Sequence, residues 1–93
     1  MFVRVVRFTD VTAERVQSLI TRIDDTGPPP GVPIKKLQLV FDEAQGTAVV
    51  LQYFDSEEDL RAGADAFAAM DPSETPGSRA SVDTGELKIE REL

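Results

Sequence analysis

Residues 2–8 read Phe-Val-Arg-Val-Val-Arg-Phe, a β-branched and aromatic run that predicts a first strand. Thr9 and Asp10 break it. Beyond them Val16, Leu19, Ile20 and Ile23 recur at the spacing of one helical face, with Asp10 or Thr12 as the cap. Asp24 and Asp25 end that periodicity. Gly27-Pro28-Pro29-Pro30-Gly31-Val32-Pro33 is predicted to be a stiff connector, because proline lacks the amide donor and fixes φ. Residues 34–41 form a second predicted strand. The short polar loop Asp42-Glu43-Ala44-Gln45-Gly46 turns it into a third, Thr47–Phe54. Ser56-Glu57-Glu58-Asp59 has the look of a capping box, with acids in the first turn complementing the helix dipole. Leu60, Ala64, Phe67 and the alanines up to Met70 make the second helix. Residues 71–84 are polar and turn-rich and read as a loop. Residues 86–93 give a last strand, with Leu87 and Ile89 on one face. The order is βαββαβ: an α+β, ferredoxin-like domain with a four-stranded antiparallel sheet and two helices on one face.

Side chains alternate along a strand. Phe2, Val6 and Phe8 therefore oppose Val3 and Val5. Leu37, Leu39 and Phe41 oppose Ile34 and Val40, and Val49, Leu51 and Tyr53 oppose Ala48, Val50 and Phe54. An antiparallel sheet with one wet face alternates cleanly between apolar and polar; this one carries apolar residues on both. Two helices cover one face only. The other would expose several hundred Å² of apolar surface, worth on the order of 10 kcal/mol to cover before the cost of association. Pairing that helix-free face with a second copy is the simplest solution, so a homodimer is expected.

At 93 residues the chain is expected to be a single domain over residues 1–93. It has no cysteine, which removes disulfides, thiolate metal sites and cysteine nucleophiles. A net charge of −7 and a pI near 4.4 argue against nucleic acid and anionic membrane surfaces as partners. No stretch has the ~20 apolar residues of a membrane span, and residues 1–9 lack the apolar core of a signal peptide. A cytoplasmic protein is the default expectation.

The order of elements, the opening Met-Phe-Val-Arg-Val-Val-Arg-Phe, and Tyr53-Phe54-Asp55-Ser56-Glu57-Glu58 running from third strand into second helix resemble the dimeric α+β barrel superfamily. Within it the chain is most similar to short bacterial proteins akin to the antibiotic biosynthesis monooxygenases. The resemblance spans nearly the whole chain. It implies a dimer and, in each subunit, a cavity between sheet and helices, which in characterised members holds aromatic polyketides, quinones or haem. Relatives often carry tryptophan where this chain has Phe54, and usually a longer first helix in place of the proline connector. The chain contains no histidine, asparagine or tryptophan. The histidine-dependent branches and the Asn/Trp pocket of the cofactor-free oxygenases therefore have no counterpart here.

The acid–base groups left are carboxylates, Lys and Tyr, with Arg for electrostatic stabilisation. Arg4, in mid-strand, either bridges to an acid on a neighbouring strand or binds an anionic or carbonyl group in the cavity. Gln38 and Gln52 are structural amides or pocket contacts. Tyr53 presents a phenol to a ligand or rests at the rim of the core. Phe54 and Phe67 pack between sheet and second helix or line the pocket. These six are the candidate ligand residues, with no metal and no cofactor expected. The acids at 24–25, 42–43 and 57–59 are explained by helix ends and a turn. An RNA-recognition module, a metallochaperone and an acylphosphatase are set aside by wrong charge, missing cysteines and missing asparagine respectively. Three functions remain. The first binds a flat apolar small molecule in an oxygenase-like cavity; were it an enzyme, it would be a cofactor-independent monooxygenase. The second is a non-catalytic dimerisation or scaffolding module. The third is a ligand-binding sensor or carrier.

Overall fold

The chain folds in the order β1 (Phe2–Thr9), α1 (Ala13–Thr26), β2 (Lys36–Asp42), β3 (Thr47–Phe54), α2 (Glu57–Ala68) and β4 (Ser78–Glu86). The computed structural model describes residues 1–27, 31–70 and 75–93. The four strands make one antiparallel sheet in the order β2-β3-β1-β4, the ferredoxin-like arrangement. Of the expected proline connector, residues 28–30 lie outside the described residues, as do residues 71–74 of the expected polar loop.

Register decides which side chains share a face. Arg4 stands opposite Gln52, Val6 opposite Val50 and Phe8 opposite Ala48 across β1 and β3. Leu37, Leu39 and Phe41 of β2 oppose Gln52, Val50 and Ala48. This is the face under the helices. Val6, Phe8, Ala48 and Val50 join Val11 and Val16 in the core, with Leu39 and Phe41 packed against it. Further along, Leu60 of α2 is buried, and Phe54 (0% exposed) lies beneath Gly63 of the same helix. A Cβ at Gly63 would stand 2.6 Å from Phe54 Cζ, so the ring takes the space a side chain would need.

The helix ends follow local hydrogen-bond demand. Of the two residues able to cap α1, Thr12 does so: its Oγ1 accepts from the Arg15 amide at 3.3 Å. Asp10 instead turns the chain at φ 55°, a left-handed conformation aspartate tolerates. The helix does not stop at Asp24 and Asp25 but runs to Thr26. Gly27, at φ 70°, ends it by donating to the Ile23 carbonyl at 2.8 Å. Ser56 Oγ caps α2, accepting from the Asp59 amide at 3.1 Å. The longer of these helices has 14 residues; no helix among the described residues is long and apolar enough to cross a membrane.

Two strand boundaries differ from the expectation. The second strand begins at Lys36 rather than at residue 34. The last strand occupies Ser78–Glu86, largely the stretch expected to be loop, whereas residues 87–93, expected to be strand, join no sheet. β4 is an edge strand held by its ladder to β1, and every residue of it is exposed. A strand with no buried face needs no apolar alternation, so its sequence carries none. Residues 87–93 have the alternation but find no ladder beyond the Leu87 amide, which donates to the Met1 carbonyl at 2.9 Å. Ile89 is 67% exposed.

The opposite sheet face carries no helix. By register, Val3, Val5 and Arg7 of β1 share it with Val49, Leu51 and Tyr53 of β3 and with Lys36, Gln38 and Val40 of β2. Val40 is 59% exposed.

Candidate functional site

A cavity of about 610 Å³ lies between the helix-bearing face of the sheet and the two helices. Its floor is Arg4, Val6, Phe8, Val50 and Gln52. Leu19 and Ile23 of α1 form one wall; Phe67, near the end of α2, and Met70, just beyond it, form the other. The cavity exists because α1 meets the core through its first half only. Val16 is buried, but Leu19 and Ile23, one and two turns on, are half-exposed and face the cavity. Arg22, Thr26, Lys35 and Arg79 stand on its lining and are themselves exposed, so it opens to solvent on that side.

The polar centre of the floor is Arg4 and Gln52, 3% and 4% exposed. Register places them opposite each other, and Arg4 Nη1 donates to Gln52 Oε1 at 2.8 Å. The acid bridge that a mid-strand arginine invites is not made, because the residue across β4 is Thr84. The Arg4 guanidinium lies 5.6 Å from the centroid of the Phe67 ring, a cation–π distance. Its Nε is buried and donates to nothing. Burial pulls the Arg4 pKa below its ordinary value, and the Arg79 guanidinium adds to the effect.

The cations at the mouth are held differently. Arg79 Nη2 donates to the Phe67 carbonyl at 3.3 Å, and Lys35 pairs with Asp55 at 3.4 Å on the surface. Among the described residues that line the cavity there is no carboxylate.

Of the six residues singled out from sequence, the structure brings Arg4, Gln52 and Phe67 together around the cavity. Gln38 and Tyr53 are on the other face of the sheet, where the Tyr53 hydroxyl donates to Gln38 Oε1 at 2.8 Å. The Lys36 ammonium stands 5.2 Å from the centroid of the Tyr53 ring. Phe54 is closed into the core under α2 and does not reach the cavity. Leu19, Arg22, Ile23, Met70 and Arg79 are additions from the structure. Arg22 had a signal: positions 19, 22, 23 and 26 lie along one helical face.

The sequence matches no protein-family model and no curated protein. Its structure does have neighbours. A candidate antibiotic biosynthesis monooxygenase from Deinococcus radiodurans superposes with a TM-score of 0.61 at 12% identity, over 100% of this chain and 98% of that one. A second, from Chloroflexus aurantiacus, gives 0.60 at 12% identity, over 98% and 96%. The chain has the fold of the antibiotic biosynthesis monooxygenase-like proteins. A mutant of MhuD, solved with two manganese protoporphyrin IX molecules bound per active site, superposes at 0.57 with 16% identity, over 100% and 98%. At these identities the likeness is one of fold.

Proposed function

We propose that this protein is a homodimeric binder of a flat, apolar small molecule, one per subunit, in the cavity between sheet and helices. The observation that carries this reading is the cavity itself. Its volume is within the range of small-molecule pockets, its walls are largely apolar, and a buried polar pair, Arg4 and Gln52, stands at its floor. The structural neighbour MhuD holds flat macrocycles in its own active site, which supports a flat ligand for a cavity in this fold. Leu19, Ile23 and Phe67 present apolar surface to a cavity open to solvent, and covering that surface is favourable. A flat apolar ligand would cover it.

The described lining offers donors, an amide and apolar surface. It offers no carboxylate and no phenol. A general base must stand within hydrogen-bond reach of the proton it takes; the two lysines of the described lining are engaged elsewhere, Lys35 with Asp55 and Lys36 over the Tyr53 ring. Binding without turnover is therefore the expected outcome. The neutral aromatic 2-naphthamide serves as probe: calorimetric titration should give saturable binding at one site per chain. Oxygen uptake above the protein-free rate with an aromatic quinol, without added metal or flavin, would make the protein an oxygenase instead. Absence of any saturable binding by flat aromatics would overturn the reading.

A further inference from the structure

The floor of the cavity presents a buried cation whose hydrogen bonds are incomplete. Arg4 is 3% exposed; Nη1 is spent on Gln52, and Nε donates to nothing. A guanidinium has five N–H donors in a fixed fork and stays charged at neutral pH. Buried charged donors are normally satisfied; Nε is sealed within the protein, so the donors a ligand can reach are the remaining ones on the Nη groups. The neutral amide of Gln52 supplies one oxygen but no counter-charge. Arg79 and Arg22 also line the cavity, and the described lining holds no carboxylate to offset the three guanidiniums.

The charge of the described lining is thus the reverse of the whole chain's −7. Overall electrostatics would repel an anion, so a preference for one can arise only from the groups at the site. We propose that the ligand is an organic monocarboxylate: a flat apolar body seated among Leu19, Ile23 and Phe67, with its carboxylate on Arg4. Arg79 lies toward the mouth and adds attraction there. This rests on the cavity-binding reading and adds the ligand's charge and orientation to it. A planar carboxylate matches the guanidinium fork, and charge-assisted bonds in a desolvated site are the strong ones.

The test titrates the whole protein with 2-naphthoate and with 2-naphthamide, which share one ring system and differ in charge. The expected result is that naphthoate binds tighter by about tenfold or more, the usual worth of a buried charge-assisted bond. Replacing Arg79 with Gln should weaken naphthoate alone, by about twofold to fivefold. The double variant Arg4→Met/Gln52→Leu, which leaves no orphaned polar atom of that pair, should keep only the about twofold to fivefold preference for naphthoate that Arg79 supplies. If the wild-type protein binds the two probes alike, or prefers the amide, the carboxylate assignment fails while the cavity reading stands. Binding of neither probe removes both. A preference of about tenfold for naphthoate that survives undiminished in the double variant overturns the role of Arg4.

Discussion

Arg4 and Gln52 form a buried polar pair in a sheet face otherwise given to valine, phenylalanine and leucine, and such pairs are rarely the most stable choice for a core. Arg4→Met alone would strand Gln52 Oε1 without its donor, and urea unfolding should show a loss of about 1–3 kcal/mol. Adding Gln52→Leu removes the stranded group. The double variant should recover that loss and unfold at a urea midpoint at or above that of the ligand-free wild type. A double variant as weak as the single one would mean that the pair holds the fold together. At the same scale, Gly63→Ala tests the contact with Phe54. The new methyl must displace a ring with no exposed side to move into, so a cost of about 1–3 kcal/mol is expected in the same assay. Part of this site is legible in the sequence. Alternation alone puts Arg4 beside Val6 and Phe8 on the helix side. Applied to the third strand, it puts Tyr53 with Val49 and Leu51, away from Phe54 and Gln52. The list of six candidates mixed residues of both faces because polarity and aromatic character mark a residue as unusual without saying which side of the sheet it serves.

At the scale of elements, the interior announces itself and the edges do not. β1, β3 and α2 are readable because each buries one side, and burial demands a period in the sequence. β4 buries nothing, so Ser78–Glu86 reads as loop while the alternating residues 87–93 read as strand. The first helix passes through Asp24 and Asp25 because its outer face is in water, where carboxylates cost little, and Gly27 provides the stop. Its second half has a further consequence. Leu19 and Ile23 face the cavity rather than packed side chains, so the C-terminal turns of α1 have less holding them than the strands they cover. In hydrogen exchange, amides of residues 19–26 should exchange faster than those of β1 and β3 in the free protein. Saturating 2-naphthoate should slow residues 19–26 most. Uniform protection across α1 before and after binding would mean that the cavity is not what loosens it.

At the scale of the whole molecule, the two proposed tasks fall on opposite faces of the sheet. The cavity uses the even-numbered residues of β1 and β3. The proposed dimer uses the odd-numbered ones, Val3, Val5, Val49 and Leu51, with Val40 at the β2 side. Because successive side chains of a strand point oppositely, a substitution on one face reaches the other only through the backbone. Leu51→Lys puts a charge at the middle of the helix-free face. In the single subunit this position is half-exposed, and a lysine there can extend its ammonium into water, so the fold should survive. In a dimer with that face covered, two such lysines would be brought together out of water, an arrangement that association cannot offset. Light scattering should therefore give twice the chain mass of 10.2 kDa for the wild type and the single chain mass for the variant. The wild-type melting temperature should rise with protein concentration, and the variant's should not. The variant should still bind 2-naphthoate within about threefold of the wild type, since no cavity residue has changed and a threefold ratio is under about 1 kcal/mol. A monomeric variant that loses the ligand altogether would show that the cavity is completed by the partner, and that the two faces of the sheet act as one site.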